Sequence, residues 1–246
     1  MHIQIAAEKL FSLGSFPVTN ALLTSWLVVI ILIVVAQLVS RRVALVPAMF
    51  QNVVETGVDK LVGFTAGVFG NREKAEKYFP LIATIFIFVL VSNWLGIMPG
   101  VGTIGFYEES HGEEVFVPFA RSAASDLNFT IALAVTTVIL INIAGIRAVG
   151  GKVHFSKYFN FQNPIQFFVG ILELLGEFAK MISFSFRLFG NVFAGEVLLI
   201  IIAFLVPYVV PLPFLILEIF VGFIQALVFS MLALVFISMA VSHEAH

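Results

Sequence analysis

Apolar segments alternate with polar connections along the whole chain. The first three segments are of similar length and cover Ala21–Val39, Phe79–Met98 and Leu127–Ile146. A helix of about 20 apolar residues is long enough to cross a hydrocarbon core about 30 Å thick. The pattern therefore predicts three membrane-spanning helices in the first two thirds of the chain.

Two further apolar segments are longer than a single crossing requires. Asn163–Leu205 keeps helical periodicity over 43 residues, which corresponds to about 64 Å at 1.5 Å per residue. Three prolines between positions 207 and 213 end this segment, and a last apolar helix follows over Phe214–Val241. Because both helices exceed the thickness of a bilayer, we predict a long, strongly tilted hairpin.

The connection between the first two spans has an amphipathic pattern. Apolar residues recur at helical spacing from Val46 to Val62, whereas Gln51, Glu55 and Asp59 lie elsewhere on the helical wheel. This distribution is typical of a helix that lies at the membrane interface.

The pattern as a whole predicts an all-α integral membrane protein with about five embedded helices and one interfacial helix. We find no internal repeat and no flexible linker, so we expect a single membrane domain over residues 1–246. Its expected parts are an outer N-terminal segment (1–20), three spans with their loops (21–162), the helical hairpin (163–241) and a polar tail (242–246).

Charges in the connections predict the orientation of the chain. The connection between the first two spans carries six Lys and Arg residues, and the one after the third span carries three more. The connection after the second span is acidic, with Arg121 as its lone cation. Cytoplasmic loops are enriched in Lys and Arg, so we expect the N-terminus outside and the C-terminus in the cytoplasm.

Composition agrees with a membrane location and argues against several other functions. The chain is 60% hydrophobic and 11% charged, against about 25% charged in soluble proteins. A net charge of −2 offers no basic surface for nucleic acid. There is no cysteine to ligate a metal and no phosphate-binding loop. We therefore expect no metal site, no cofactor and no nucleotide site in this chain.

Charged side chains inside the last two apolar segments are the strongest functional candidates. A charge at the centre of a membrane helix costs roughly 2.5 to 3.5 kcal/mol, and such residues are usually functional. Arg187, Glu196 and Glu218 are charges of this kind. Successive helical residues are rotated by about 100°, so the nine-residue separation of Arg187 and Glu196 places them on opposite faces of one helix.

The two faces of this helix differ in character. The face of Arg187 also carries Asn191 and small residues, which suits close approach of a partner helix. Glu196 points the other way, where Glu218 and Gln225 of the last helix are placed to meet it. The sequence therefore predicts two polar regions that one helix separates.

This arrangement suits transfer of an ion to a carboxylate on a partner protein. At about 4 Å and an effective dielectric constant near 20, an arginine stabilises a carboxylate by roughly 4 kcal/mol. An acid that arrives beside Arg187 would therefore release its proton. Guanidinium stays charged at physiological pH, so Arg187 can also block a direct proton leak. Glu196 and Glu218 are expected to share a proton, because two nearby carboxylates repel each other.

Several short stretches resemble one protein family. Phe186–Glu196 reads FRLFGNVFAGE, which is similar to the signature of subunit a of F-type ATP synthase. The similarity includes NWLGIMPG at Asn93–Gly100 and SDLN at Ser125–Asn128. It continues in the last helix through Gln225 to Ser238–Ala240, so that it covers most of the chain.

The resemblance implies specific roles. It implies that Arg187 is the essential stator arginine with Asn191 as its neighbour, and that Glu196, Glu218 and Gln225 are polar residues of the ion path. The position of Glu218 often holds histidine in the bacterial pattern. All five histidines of this chain are expected in tails or loops, so none of them takes that place.

The resemblance also implies partners and a location. The rotor partner would be a ring of c subunits and the stator partner a peripheral stalk of b subunits, in a bacterial inner membrane. The chain itself would be a non-catalytic part of the complex that provides proton half-channels for ATP synthesis. Four polar residues are possible channel-lining groups: Ser183, Asn93, Asp126 and Asn128.

Other interpretations of these residues stay open at this stage. Asp126 and Asn128 are as readily explained by the N-cap of a helix. Glu173, Glu177 and Lys180 have the spacing of a solvated or interfacial charge cluster on one helix. A secondary transporter is the main alternative function, but it should show repeats or broken helices. An intramembrane enzyme should show a nucleophile or metal cluster, and the sequence has neither feature.

Overall fold

The computed structural model describes residues 7–14, 16–41, 49–98, 100–110, 113–158, 164–207 and 209–242. Its helices are α1 (Asn20–Ser40), α2 (Met49–Phe69), α3 (Arg72–Ile97), α4 (Leu127–Val149), α5 (Gly151–Ser156), α6 (Pro164–Leu205) and α7 (Pro211–Ser242). Five of them, α1, α3, α4, α6 and α7, are long and apolar enough to cross a membrane. The predicted all-α membrane fold is therefore confirmed.

Several helix bounds differ from the predicted ones. Helix α3 begins at Arg72, seven residues before the predicted start, and continues through Pro80. The residues before Pro80 are mostly good helix formers, so they extend the helix although proline cannot donate a backbone hydrogen bond. Helix α7 begins at Pro211, because proline suits the first turn of a helix. The short helix α5 was not predicted, and His154 lies in it and not in a loop.

Two β-hairpins lie outside the helices, and the sequence pattern did not predict them. Strands β1 (Lys9–Leu13) and β2 (Phe16–Thr19) pair antiparallel just before α1. Strands β3 (Gly105–Ser110) and β4 (Glu113–Pro118) pair antiparallel in the acidic connection after α3, with Gly105 opposite Pro118. Both hairpins are short, so the protein remains predominantly helical.

The chain divides into two compact units, each assembled from three segments. The first unit contains Met1–Arg41, Phe86–Thr130 and Ser185–Leu227. The second unit contains the remaining segments, namely Arg42–Ile85, Ile131–Phe184 and Val228–His246. That these units act as a single membrane domain stays a prediction.

Helices α6 and α7 lie antiparallel within each unit. In the first unit, Asn191 of α6 bonds to Gln225 of α7, and Gly195 further along α6 lies against the earlier residue Glu218. In the second unit, the rings of Phe184 and Phe229 are 4.6 Å apart between centroids. Helix α6 has 42 residues and a length of about 63 Å. It is therefore longer than the bilayer is thick, as the sequence predicted. Its tilt stays a prediction.

Candidate functional site

The central part of α6 has one exposed face and one buried face in the first unit. Arg187 is half-buried, and Gly190, Asn191 and Ala194 beside it on the same face are exposed. On the opposite face Ser185 and Val192 are buried. This is the separation of faces that the helical phase predicted. The small neighbours leave the guanidinium on a surface that another helix can approach closely.

Asn191 is held by an amide hydrogen bond from α6 to α7. Its Nδ2 donates to Oε1 of Gln225 at 2.6 Å, and Gln225 is buried. We expected Gln225 to meet Glu196, and the structure instead pairs it with Asn191. The reason is the register of two antiparallel helices, which pairs later residues of α7 with earlier residues of α6. The separation of seven positions between Glu218 and Gln225 thus brings them to different levels of α6.

Glu196 forms an ion pair that the sequence analysis did not find. The Nε atom of Arg121 lies 3.1 Å from Oε1 of Glu196, and the side chains are 10% and 28% exposed respectively. The backbone N–H of Arg121 donates to Oγ1 of Thr24 at 3.3 Å, which anchors the connection to α1. The sequence did carry a signal for this ion pair, because Arg121 is the single cation of the acidic connection.

Glu218 lies next to Glu196 because residue 195 is glycine. A Cβ atom placed on Gly195 would overlap the carboxyl group of Glu218. Only the absence of a side chain at position 195 lets this carboxyl approach the α6 backbone beside Glu196. The two acids therefore lie close together, as the sequence predicted.

The end of α3 positions the segment of α7 that carries Glu218 and Gln225. Asn93 Nδ2 donates to the carbonyl oxygen of Gly222 at 3.1 Å, and Trp94 Nε1 donates to that of Ile219 at 3.0 Å. Both carbonyl groups lie between Glu218 and Gln225 in the sequence. Asn93 is thus placed in the site as an anchor of α7.

The same end of α3 also positions Arg121. A Cβ atom on Gly96 would lie 2.5 Å from Cβ of Ser122, so the connection packs directly on the α3 backbone. The residues from Arg121 to Asp126 are all buried. Glycine at position 96 therefore allows the approach that brings Arg121 to Glu196.

Asp126 and Asn128 form the hydrogen bonds of a helix N-cap. Oδ1 of Asp126 accepts from the backbone N–H of Asn128 at 3.0 Å and from its side-chain amide at 3.2 Å. Asp126 directly precedes the first residue of α4, which is the N-cap position. A role of either residue in lining a channel stays a prediction.

Unpaired polar atoms concentrate in the interior of the first unit. Within the part of the chain that the structure describes, five buried atoms of this unit have no hydrogen-bond partner: Ser92 Oγ, Asn93 Oδ1, Ser122 Oγ, Glu196 Oε2 and Gln225 Nε2. Most buried polar groups in proteins are paired. This set therefore marks a polar interior with spare hydrogen-bonding capacity beside the two acids.

The second unit contains a separate polar network around Glu177. This carboxylate accepts from Lys180 Nζ at 2.6 Å, from Tyr158 Oη at 3.1 Å and from Asn142 Nδ2 at 3.2 Å. His154 lies 3.0 Å from Oδ1 of Asn142. Burial and the charge of Glu177 raise the pKa of the Tyr158 phenol. The predicted pair of Glu177 and Lys180 is present, but it is largely buried and not solvated.

Ser183 is the remaining candidate, and it lies in the second unit. It is exposed on α6, one turn before Arg187 in the sequence. A role in an ion path stays a prediction for this residue.

The chain is similar to known proteins over nearly its whole length. The family model described as ATP synthase A chain matches residues 22–238. ATP synthase subunit a 2 of Syntrophotalea carbinolica is 36% identical over 251 residues, which cover 100% of this chain and 94% of that protein. ATP synthase subunit a of Moorella thermoacetica is 30% identical and covers 94% of each chain. That of Geobacter sulfurreducens is 35% identical over 92% of this chain and 89% of its own length.

Proposed function

The chain belongs to the ATP synthase subunit a family, the proton-translocating stator subunits of F-type ATP synthase, and we propose that it moves protons through the polar groups of its first unit. In this proposal Arg187 faces the rotor, and Glu196 and Glu218 deliver protons from the outer side. The observation that carries it is the pair of carboxyls formed by Glu196 of α6 and Glu218 of α7, with Arg187 on the face of α6 opposite to Glu196.

Arg187 acts on the carboxylate of a rotor subunit. The exposed small residues beside it, Gly190 and Ala194, allow a partner helix to approach. An incoming protonated acid loses its proton there, because a guanidinium at about 4 Å favours the ionised form by roughly 4 kcal/mol. The permanent charge of Arg187 then repels protons that would otherwise cross between inlet and outlet.

Glu196 and Glu218 form the inlet together with Arg121. Two carboxylates and one guanidinium become electrically neutral when they hold one proton, so binding a single proton is favourable at this place. The unpaired atoms of Asn93 and Ser122 add hydrogen-bonding capacity beside them. Asp126 and Asn128 belong to the same outer region as possible lining residues.

Asn191 and Gln225 connect the inlet to the face of Arg187. Their hydrogen bond at 2.6 Å joins a buried residue to an exposed one. Gln225 keeps an unpaired Nε2 on the buried side. The amide pair therefore links the polar interior of the first unit to the surface where a rotor carboxylate would arrive.

The partners and the orientation follow from the same assignment. The subunit functions within the ATP synthase complex, and we assign its rotor contact to a c-subunit ring and its stator contact to a peripheral stalk of b subunits. The N-terminus lies outside and the C-terminus in the cytoplasm of a bacterial inner membrane, with Ser183 toward the cytoplasmic exit. The chain itself catalyses no reaction. Membership of the family does not favour the alternative of a secondary transporter.

Substitution of Arg187 tests the proposal. In membrane vesicles that contain the assembled complex, Arg187→Ala should abolish ATP-driven proton pumping without loss of assembly. Arg187→Lys should also fail, because a buried ammonium lacks the planar guanidinium fork and can lose its proton. The matched control is Arg147→Ala, since Arg147 is exposed at the end of α4. Normal pumping by the Arg187→Ala complex would overturn the proposed role.

A further inference from the structure

Glu8 is a third acid in the outer region of the first unit, and it is held in place by α1. Asn20 Nδ2 donates to Oε2 of Glu8 at 2.9 Å, and the backbone N–H of Asn20 donates to the carbonyl oxygen of Glu8 at 3.1 Å. Asn20 is fully buried, and its Nδ2 also lies 3.3 Å from the carbonyl oxygen of Pro118. Two bonds to one buried residue fix the half-buried Glu8 at the first turn of α1.

The same turn of α1 holds the segment that carries Arg121. Thr24, one helical turn after Asn20, accepts the backbone N–H of Arg121 at 3.3 Å. The guanidinium of Arg121 then pairs with Glu196 at 3.1 Å. Glu8 is therefore held by the same turn of α1 that anchors the backbone of Arg121, the partner of Glu196.

Electrostatics supports this arrangement. Burial raises the pKa of the Glu8 carboxyl most strongly, Arg121 and the bond from Asn20 lower that pKa, and the charge of Glu196 raises it. Arg121 and Glu196 thus both lie within electrostatic range of Glu8. The neighbouring Lys9 is exposed.

We propose that Glu8 is a further proton-carrying residue at the outer mouth of the inlet, where it exchanges a proton with Glu196 under the shared charge of Arg121. The inference rests on the proposed function and extends its inlet by one residue. The Glu8 carboxylate takes a proton from the outer aqueous phase and becomes neutral. It then gives this proton to the Glu196 carboxylate through water and returns to the ionised form.

The shared arginine makes the energies of the two proton positions, on Glu8 and on Glu196, nearly equal. Glu8, Glu196 and Arg121 carry two negative charges and one positive charge, so one bound proton makes the group neutral on either acid. Whichever acid is ionised has the guanidinium as its counter-charge. Glu218 lies beyond Glu196 and is the next acceptor. The three residues together have the same net charge for either position of the proton, so its transfer from Glu8 to Glu196 creates no new uncompensated charge.

Glu8→Gln separates the ability of residue 8 to carry a proton from its hydrogen bond with Asn20. Glutamine keeps an oxygen that accepts from Asn20 but cannot carry a proton. ATP synthesis is measured per assembled complex in inverted vesicles at a fixed membrane potential, while the pH of the lumen, which corresponds to the outer side, is varied. We expect a loss of rate that grows as this pH rises, because a collecting acid matters most where protons are scarce. Glu8→Asp should retain most of the rate, and the exposed Glu73→Gln is the control for the loss of one carboxylate.

A second measurement covers the case in which Glu8→Gln reduces assembly. The chain has no cysteine, so Glu8→Cys introduces a single thiol. In right-side-out vesicles that enclose ATP, silver ions added to the outer side should then block ATP-driven proton flux, and Glu73→Cys should be unaffected. Flux that persists in the presence of outer silver would overturn the inference.

The outcomes separate this inference from the proposed function. If Glu8→Gln keeps the wild-type rate at every pH while Arg187→Ala is inactive, Glu8 is not part of the inlet and the proposed function stands. A Glu8→Gln deficit that is equal at every pH would show a structural role and also overturn the inference. Normal pumping by Arg187→Ala refutes the proposed function itself.

Discussion

Gly195→Ala is the most direct test of how the two acids of the proposed inlet are positioned. The new Cβ atom would overlap the present position of the Glu218 carboxyl. Nonbonded carbon atoms need a separation of about 3.5 to 4.0 Å, so this carboxyl would have to shift by roughly 1 Å or more. The far end of a glutamate side chain is flexible. We therefore expect a displaced acid and not a collapsed fold.

The energetic balance supports a change in function that exceeds the change in stability. Alanine in place of glycine favours a helix by roughly 0.8 to 1.0 kcal/mol, whereas overpacking costs about 1 to 3 kcal/mol. The net destabilisation is therefore about 0 to 2 kcal/mol. A displacement of about 1 Å in a positioned reactive group can cost on the order of 100-fold in rate. Proton flux should consequently fall by about 10- to 100-fold while the complex still assembles.

The assay compares five vesicle preparations, including the wild type, at equal amounts of assembled complex. Gly176→Ala is the matched control, because a Cβ atom at this other glycine of α6 meets nothing within 4 Å. Glu218→Asp alone and combined with Gly195→Ala completes a double-mutant cycle. The shorter aspartate should recover part of the flux lost in Gly195→Ala. The reasoning is refuted if Gly195→Ala behaves like Gly176→Ala, or if the aspartate substitution lowers flux equally in both backgrounds.

Two further predictions concern the side chains that hold the inlet together. Arg121→Gln should lower the amount of assembled complex, because removing one partner of a buried ion pair costs up to about 3 to 5 kcal/mol, and the partial exposure of Glu196 reduces this cost. The double variant Arg121→Gln with Glu196→Gln should restore assembly. Quantitative immunoblotting that finds no restoration would contradict the pairing. Asn93→Ala should modestly lower the midpoint temperature of thermal unfolding of the purified complex, because it removes one hydrogen bond worth roughly 1 kcal/mol. An unchanged midpoint would argue against the bond to Gly222.

The helices could be predicted because their signals are local. The length of an apolar run and the spacing of polar residues determine whether a segment crosses a bilayer, and both are visible in the sequence. The start of α3 was misplaced at Phe79, where the apolar run begins, whereas the charged residues before it extend the helix. The two hairpins were missed because their strands are short and one of them is rich in acids.

The partners of the candidate residues could be predicted only in part. Helical phase assigns Arg187 and Glu196 to opposite faces, because rotation per residue is a property of the helix alone. It does not determine the register between two helices, and for that reason Gln225 was paired with the wrong residue. Arg121 and Glu196 are 75 residues apart in sequence, and their contact depends on how the connection packs against Gly96 and Thr24.

The separation of Arg187 from the inlet acids has a consequence for the path of the proton. Nine residues of helix give an axial distance of about 13.5 Å between Arg187 and Glu196, and half a turn of rotation adds to it. A proton cannot cross this distance in one step. The Asn191 and Gln225 pair lies between the two groups along α6, and amide groups do not titrate at physiological pH. In the proposed path the proton therefore rests on a carboxyl at either end of this gap and never on the pair, and it reaches the face of Arg187 only when a rotor carboxylate is there to accept it.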